Sequence, residues 1–124
     1  PDIDSSVVTI RTKKGRLAQI NTSRRAAYGY DQRFEVLGSK GLLQCGNLRP
    51  TEVVQADAQS VRSDKPEHFF LQRYREAYRL ELVHFFECLQ SGAKFRTTID
   101  DGVAAQKLAD AAAQSLASAQ VISL

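Results

Sequence analysis

An α+β fold is predicted for this chain of 124 residues: an open, mainly antiparallel sheet with long helices packed on one of its faces. Two periodicities, in this order, point there. Up to about residue 63, β-branched and apolar residues recur every second position between turns rich in Gly, Asn and Pro. From about Glu67 the apolar residues recur at three and four instead. Strands first and helices afterwards give a sheet covered on one side, not the alternating order of a parallel α/β protein. The length bounds the answer to one domain, 1–124, able to remove roughly two-thirds of its unfolded surface from water.

The strands come first. Ser6 to Thr12 alternates, with Val8 and Ile10 to one side and Val7, Thr9 and Arg11 to the other. Lys13-Lys14-Gly15-Arg16 supplies the turn, where Gly15 is free to take the left-handed conformation of a short hairpin loop. Leu17 to Ser23 returns with Ala18, Ile20 and Thr22 on one face. Gln32 to Gly38 is the third strand, and Ser39-Lys40-Gly41 turns it into Leu42 to Gly46. Asn47-Leu48-Arg49-Pro50 breaks the pattern, Thr51 to Ala56 resumes it, and Ser60-Val61-Arg62-Ser63 is a candidate short edge strand before Asp64-Lys65-Pro66.

The helices follow. Phe70, Tyr74, Ala77, Tyr78, Leu82, Phe85 and Leu89 mark one helix face and read as core, while Ser91-Gly92 ends the helix. At ~1.5 Å per residue, a helix of about 22 residues reaches roughly 33 Å, enough to cross a sheet. Thr98 or Asp100 can cap the next helix, with Asp100 and Asp101 near its positive end. Its small-residue face, Ala104, Leu108, Ala111, Ala112 and Ser115, suits close approach to a neighbour. Gln120 to Leu124 is a candidate last strand. On the sheet, Val7, Thr9, Leu17, Leu37, Leu42 and Val53 lie opposite the helix-covered side. That face is too apolar to sit wholly in water, so a second copy of the sheet is the expected cover.

Composition narrows the class of function. Hydrophobic residues make up 43% and charged residues 25%, values of a globular protein rather than a disordered one. No apolar run nears the ~20 residues that span a bilayer, and Pro1-Asp2-Ile3-Asp4 lacks the basic and apolar regions of a secretion signal. A chain opening on proline reads as the end of a longer protein. The formal charge of +3 is unevenly placed: residues 1–65 carry 11 Lys and Arg against 7 Asp and Glu, and residues 66–124 carry 6 against 7. The basic residues are interleaved with acids and lack a ladder of stacking aromatics, so no nucleic-acid partner is expected. Cys45 and Cys88 have no Cys-x-x-Cys spacing, and only His68 and His84 could join them around a metal. Both read as reduced thiols of a cytoplasmic protein.

Between the second and third strands runs a polar crossing in which Tyr28 and Tyr30 flank Gly29. Glycine there permits positive φ or close backbone approach. Each phenol presents a flat apolar body and one hydroxyl, which suits a ligand rich in hydroxyls as well as simple packing within a rigid loop. Ser23-Arg24-Arg25-Ala26-x-Tyr28-Gly29-Tyr30-Asp31-Gln32-Arg33-x-Glu35-Val36-x-Gly38-Ser39-Lys40-Gly41 resembles the second-domain signature of inositol 2-dehydrogenases. These belong to the glucose–fructose oxidoreductase/inositol dehydrogenase (Gfo/Idh/MocA) family. The likeness continues through Arg73-Tyr74-x-x-Ala77-Tyr78-x-x-Glu81-Leu82 and Asp100-Asp101-Gly102-x-Ala104-Ala105, and so covers nearly the whole chain.

The resemblance implies a dihydrodipicolinate reductase-like C-terminal domain that uses its open sheet for oligomer contacts. It implies an NAD-dependent enzyme that oxidises a polyol such as myo-inositol, with Tyr28 and Tyr30 on the substrate side. Asp31 and Arg33 match the motif too, as residues that fix the loop. In that family a preceding nucleotide-binding domain contributes the lysine of a Glu-Lys-Pro motif, and an Asp-x-x-x-His pair completes proton transfer. Neither motif occurs here, nor does a Gly-x-Gly-x-x-Gly after a strand. Gly38-Ser39-Lys40-Gly41 lacks the spacing of a phosphate loop and reads as a hairpin turn. The expectation is therefore a domain with no catalytic residue, no metal and no cofactor of its own, part of an NAD enzyme when joined to the rest. A non-catalytic sugar- or protein-binding module on the same fold is the alternative.

Overall fold

The computed structural model describes residues 3–124; Pro1 and Asp2, the start of the stretch read above as no secretion signal, lie outside them. The described elements are β1 (Ser5–Arg11), β2 (Leu17–Ser23), β3 (Phe34–Gly38), β4 (Gly41–Cys45), β5 (Val54–Ala56), β6 (Val61–Ser63), α1 (Phe70–Arg73), α2 (Arg75–Ser91) and α3 (Ile99–Ser118). The class is α+β, strands before helices. Among the described residues the strands pair as β1-β2, β3-β4 and β5-β6. The chain forms two compact units, one holding the residues up to Ser5 with Thr22–Leu80, the other Ser6–Asn21 with Glu81–Leu124.

In the first unit β3 and β4 pair antiparallel from Phe34↔Cys45 to Gly38↔Gly41, so Val36 faces Leu43 and Leu37 faces Leu42. Ladder bonding starts at Phe34 and not at Gln32, because the Gln32 N–H donates to the Asn47 side chain at 2.8 Å. The pairing of β5 with β6, Val54↔Ser63 to Ala56↔Val61, realises the short edge strand. Asp57 closes that hairpin: its N–H reaches the Ser60 carbonyl at 3.0 Å, and its carboxylate accepts the Gln59 and Ser60 N–H groups at 2.9 Å. β5 begins three residues later than the alternation suggests. Thr51 is diverted, its hydroxyl donating to Asp64 at 2.6 Å and accepting the Val53 N–H at 3.3 Å.

The helix expected from about Glu67 is interrupted at Tyr74, whose backbone sits at φ −105°, ψ 8°. The hydrogen bonds nevertheless run across the break, Tyr74 N–H to Phe70 O at 2.8 Å and Tyr78 N–H to Tyr74 O at 2.9 Å.

In the second unit the β1–β2 turn closes with the Thr12 N–H on the Arg16 carbonyl at 2.9 Å, and Gly15 takes φ 77°. Val8 and Ile10 are the half-buried set of β1, as its alternation predicts. Gly92, at φ 69°, ends α2 with its N–H on the Cys88 carbonyl. The helix face read as core is not sealed in this unit: Leu82, Phe85 and Leu89 are exposed, and among the described residues only Cys88 is buried, at 4%. Thr98 caps α3, its N–H and its hydroxyl both donating to the Asp101 carboxylate at 2.8 and 2.9 Å. The candidate strand at Gln120–Leu124 does not form. The Ser115 hydroxyl holds the Gln120 carbonyl at 2.7 Å, and Ala119 leaves the helix at φ 54°.

A tyrosine loop organised by one carboxylate

The crossing between β2 and β3 is anchored at its start by Asp4, whose carbonyl accepts the Arg24 N–H at 2.9 Å and whose carboxylate pairs with Arg25 at 2.9 Å. It then tightens, with the Gly29 N–H on the Ala26 carbonyl at 3.1 Å. Gly29 adopts φ 135°, a region that side chains rarely tolerate. A Cβ there would stand 2.7 Å from the Pro66 carbonyl oxygen and 3.1 Å from that of Glu67. The glycine is thus required twice, for its dihedral and for the close approach of a second backbone. That second backbone is itself fixed: the Tyr30 N–H donates to Glu67 O at 2.7 Å, and the Glu67 N–H donates to Leu48 O at 2.9 Å.

Asp31 gathers the side chains. Arg33 grips it with two bonds, Nε to Oδ1 at 2.7 Å and Nη2 to Oδ2 at 2.9 Å. The Asn47 amide donates to Oδ1 at 2.8 Å, and the Tyr28 hydroxyl donates to Oδ2. The Asp31 side chain is 15% exposed against 64% for Arg33, so the carboxylate is the inner partner. Its carboxyl is held well below the usual carboxylate range, first by the Arg33 hydrogen bonds and then by the Tyr28 hydroxyl. Tyr28 answers in the opposite sense: its phenol is pushed up, chiefly by donating to Asp31.

Tyr30 is held differently. Half-buried, it meets the Tyr74 ring edge-to-face, centroids 5.6 Å apart at 79°. Tyr74 in turn meets Tyr78 at 6.2 Å and 73°, and the Arg73 guanidinium lies 5.6 Å from the Tyr74 centroid. The Tyr74 phenol is pushed up, first by hydrogen bonding with the Tyr30 side chain and then by desolvation.

Tyr28 and Tyr30 therefore share a loop but not their partners. Tyr28 commits its proton to Asp31 and keeps its oxygen lone pairs for an incoming donor. Asp31, neutralised by Arg33, is no general base; it and Arg33 fix the loop, as charged residues beside a glycine turn commonly do. Sequence reasoning missed Asn47, Glu67 and Tyr74. Asn47 was hidden in a segment that only breaks strand alternation, Glu67 acts through its backbone, and Tyr74 sat in register with a stripe of core aromatics.

The other candidates serve structure. His84 accepts the Arg96 N–H at 3.2 Å and touches the Cys88 sulfur at 3.6 Å. Asp101 caps α3. Among the described residues no three His, Cys, Asp or Glu side chains converge as a metal site. The N-terminus of α3 carries Asp100 and Asp101, which complement the positive end of the helix. No helix among the described residues is long and apolar enough to cross a membrane.

Comparison with known proteins shows the family. The sequence model described as "Oxidoreductase family, C-terminal alpha/beta domain" matches residues 1–124. The myo-inositol 2-dehydrogenase of Thermotoga maritima is 46% identical over 115 residues, 93% of this chain and 34% of that protein. The inositol 2-dehydrogenase of Rhizobium meliloti is 42% identical over 123 residues, 99% of this chain and 37% of that one. The crystal structure of a myo-inositol dehydrogenase from Corynebacterium glutamicum superposes with a TM-score of 0.84 at 44% identity, covering 90% of this chain and 34% of that one. The chain spans about a third of the length of the curated relatives it matches. With the family model matched end to end and the loop motif in place, the chain belongs to the Gfo/Idh/MocA oxidoreductase family and corresponds to its C-terminal alpha/beta domain.

Proposed function

We propose that this domain is part of an NAD-dependent dehydrogenase that oxidises a secondary hydroxyl of a polyol such as myo-inositol to a ketone. Its loop 26–33 walls the substrate pocket, with Tyr28 and Tyr30 as the contacting side chains. The Asp31-centred network is the observation that supports this reading: four hydrogen bonds from three residues, Arg33, Asn47 and Tyr28, converge on one carboxylate and hold the Tyr28 phenol in a fixed direction beside the Gly29 pivot. Orienting a ring that bears many similar hydroxyls needs that kind of preset hydrogen-bonding surface. Names borne by relatives at 42% and 46% identity support the choice of substrate class.

In the reaction the alcohol carbon loses a hydride, which NAD takes up, and the hydroxyl loses a proton. The groups that accept these lie outside this chain, and the chain alone neither binds NAD tightly nor turns over a polyol. What its own residues do is bind and orient. Tyr28 accepts from a substrate hydroxyl, and Tyr30 offers its hydroxyl beside the Gly29 pivot. The uncovered sheet face joins subunits of a homo-oligomer, and the enzyme works in the cytoplasm.

Tyr28→Phe and Tyr30→Phe, each in the full-length protein, test the pocket. Loss of a neutral hydrogen bond to substrate lowers kcat/KM for myo-inositol by roughly two- to tenfold. Tyr28→Phe also lowers stability, because Asp31 loses a donor. Unchanged kcat/KM in both variants removes the loop from the substrate site.

A further inference from the structure

We infer that Tyr74 is a positioning residue of this site: it fixes the ring and the hydroxyl direction of Tyr30. The inference rests on the reading of Tyr30 as a substrate contact and assigns a role to a helix residue outside the loop motif. The Tyr30 backbone is fastened by the bond from its N–H to Glu67 O at 2.7 Å, but that bond leaves the side-chain torsions and the hydroxyl rotor free. Asp31, the organiser of the loop, accepts from Tyr28, Arg33 and Asn47 and accepts no hydrogen bond from the Tyr30 hydroxyl. The constraint comes from Tyr74, whose ring stands edge-to-face against Tyr30 at 5.6 Å; its phenol is pushed up, first by hydrogen bonding with the Tyr30 side chain.

Tyr74 is in turn well placed to act as a stop. It occupies the interruption between α1 and α2, with hydrogen bonds on both sides, Tyr74 N–H to Phe70 O and Tyr78 N–H to Tyr74 O. Its ring is backed by Tyr78 at 6.2 Å and by the Arg73 guanidinium at 5.6 Å. The Arg73 Nε is buried and has no hydrogen-bond partner, consistent with a guanidinium directed at the ring face instead of at a carboxylate. A phenol set by such a neighbour arrives at the substrate already oriented. One left to rotate must be ordered on binding, which costs affinity and rate.

The test is a double-mutant cycle on kcat/KM for myo-inositol in the full-length protein: Tyr30→Phe, Tyr74→Phe and both together. Tyr74→Phe keeps the ring and removes only the hydroxyl. It is expected to lower kcat/KM by about two- to tenfold, and to have no further effect once Tyr30 is Phe. In parallel, tyrosine labelled at Cζ is titrated by NMR. The Tyr74 resonance should titrate above the ordinary phenol range and fall back towards it in Tyr30→Phe. Equal losses from Tyr74→Phe with and without the Tyr30 hydroxyl would show a general structural role and overturn the inference. So would a loss in Tyr30→Phe with none in Tyr74→Phe, which leaves the substrate-contact reading standing. No loss in Tyr30→Phe would sink that reading and the inference with it. Persistence of the NMR coupling in that case would mark the pair as packing only.

Discussion

Replacing Gly29 by alanine adds one carbon at the point where two stretches of backbone meet. The new Cβ would lie 2.7 Å from Pro66 O, 3.1 Å from Glu67 O and 3.1 Å from Pro66 Cβ, with the backbone at φ 135°. Neither side can step back freely. Glu67 is tied to Leu48 through its N–H and to Tyr30 through its carbonyl. A side chain in this dihedral region costs about 1–3 kcal/mol, and overfilling a close contact costs a further ~1–3 kcal/mol. The loop can escape by lifting away, which forfeits the Tyr30–Glu67 bond at about 0.5–1.5 kcal/mol and the Tyr30–Tyr74 contact at about 0.5–1.5 kcal/mol. The cheaper route sets the outcome, so Gly29→Ala should lose roughly 1–3 kcal/mol. Urea unfolding reads this as a lowered midpoint at unchanged slope. A loss below about 0.5 kcal/mol, the ordinary range of a surface substitution, would mean that the loop does not rest on residues 66–67.

Three further outcomes are expected. Because the Asp31 carboxyl is depressed in the folded state, its contribution to stability is complete above the ordinary carboxylate pKa of about 4 and is lost as pH falls through the depressed value; acid titration of stability should therefore be shallower in Asp31→Asn than in wild type. Ala119→Gly relieves a left-handed alanine at the end of α3 and should raise stability by about 0.5–1 kcal/mol in thermal unfolding, whereas a decrease would place the strain elsewhere. Leu37 is 82% exposed, so Leu37→Asp should leave far-UV circular dichroism unchanged while breaking the proposed self-association in sedimentation. A wild type that sediments as a clean monomer at high concentration would refute that assembly.

Where a residue acts through its own local pattern, the sequence was readable. The Gly15 turn, the Gly92 stop, the Thr98 cap and the half-buried Val8 and Ile10 each follow from neighbours within a few positions. The loop pivot was legible for the same reason, since Gly between two tyrosines has few roles. What escaped depends on partners distant in the chain. Asn47 looks like a strand breaker until its amide is seen to serve Gln32 and Asp31 at once. Tyr74 fits the helix period so well that nothing local announces the break at its own position. The aromatic stripe of α2 was read as core because periodicity reports which residues share a face. It does not report whether a partner covers that face within the same unit.

The tie between Tyr30 and Glu67 has a kinetic side. The loop completes only when a residue far along the chain has been delivered to it, after β3 to β6 have been laid down between them. Contacts of that span form slowly and late, because chain entropy must be lost before they reward it. The same tie is one backbone bond between half-buried residues, and its opening in the native state is a local event. The Tyr30 amide proton is the natural reporter of the loop's opening and closing.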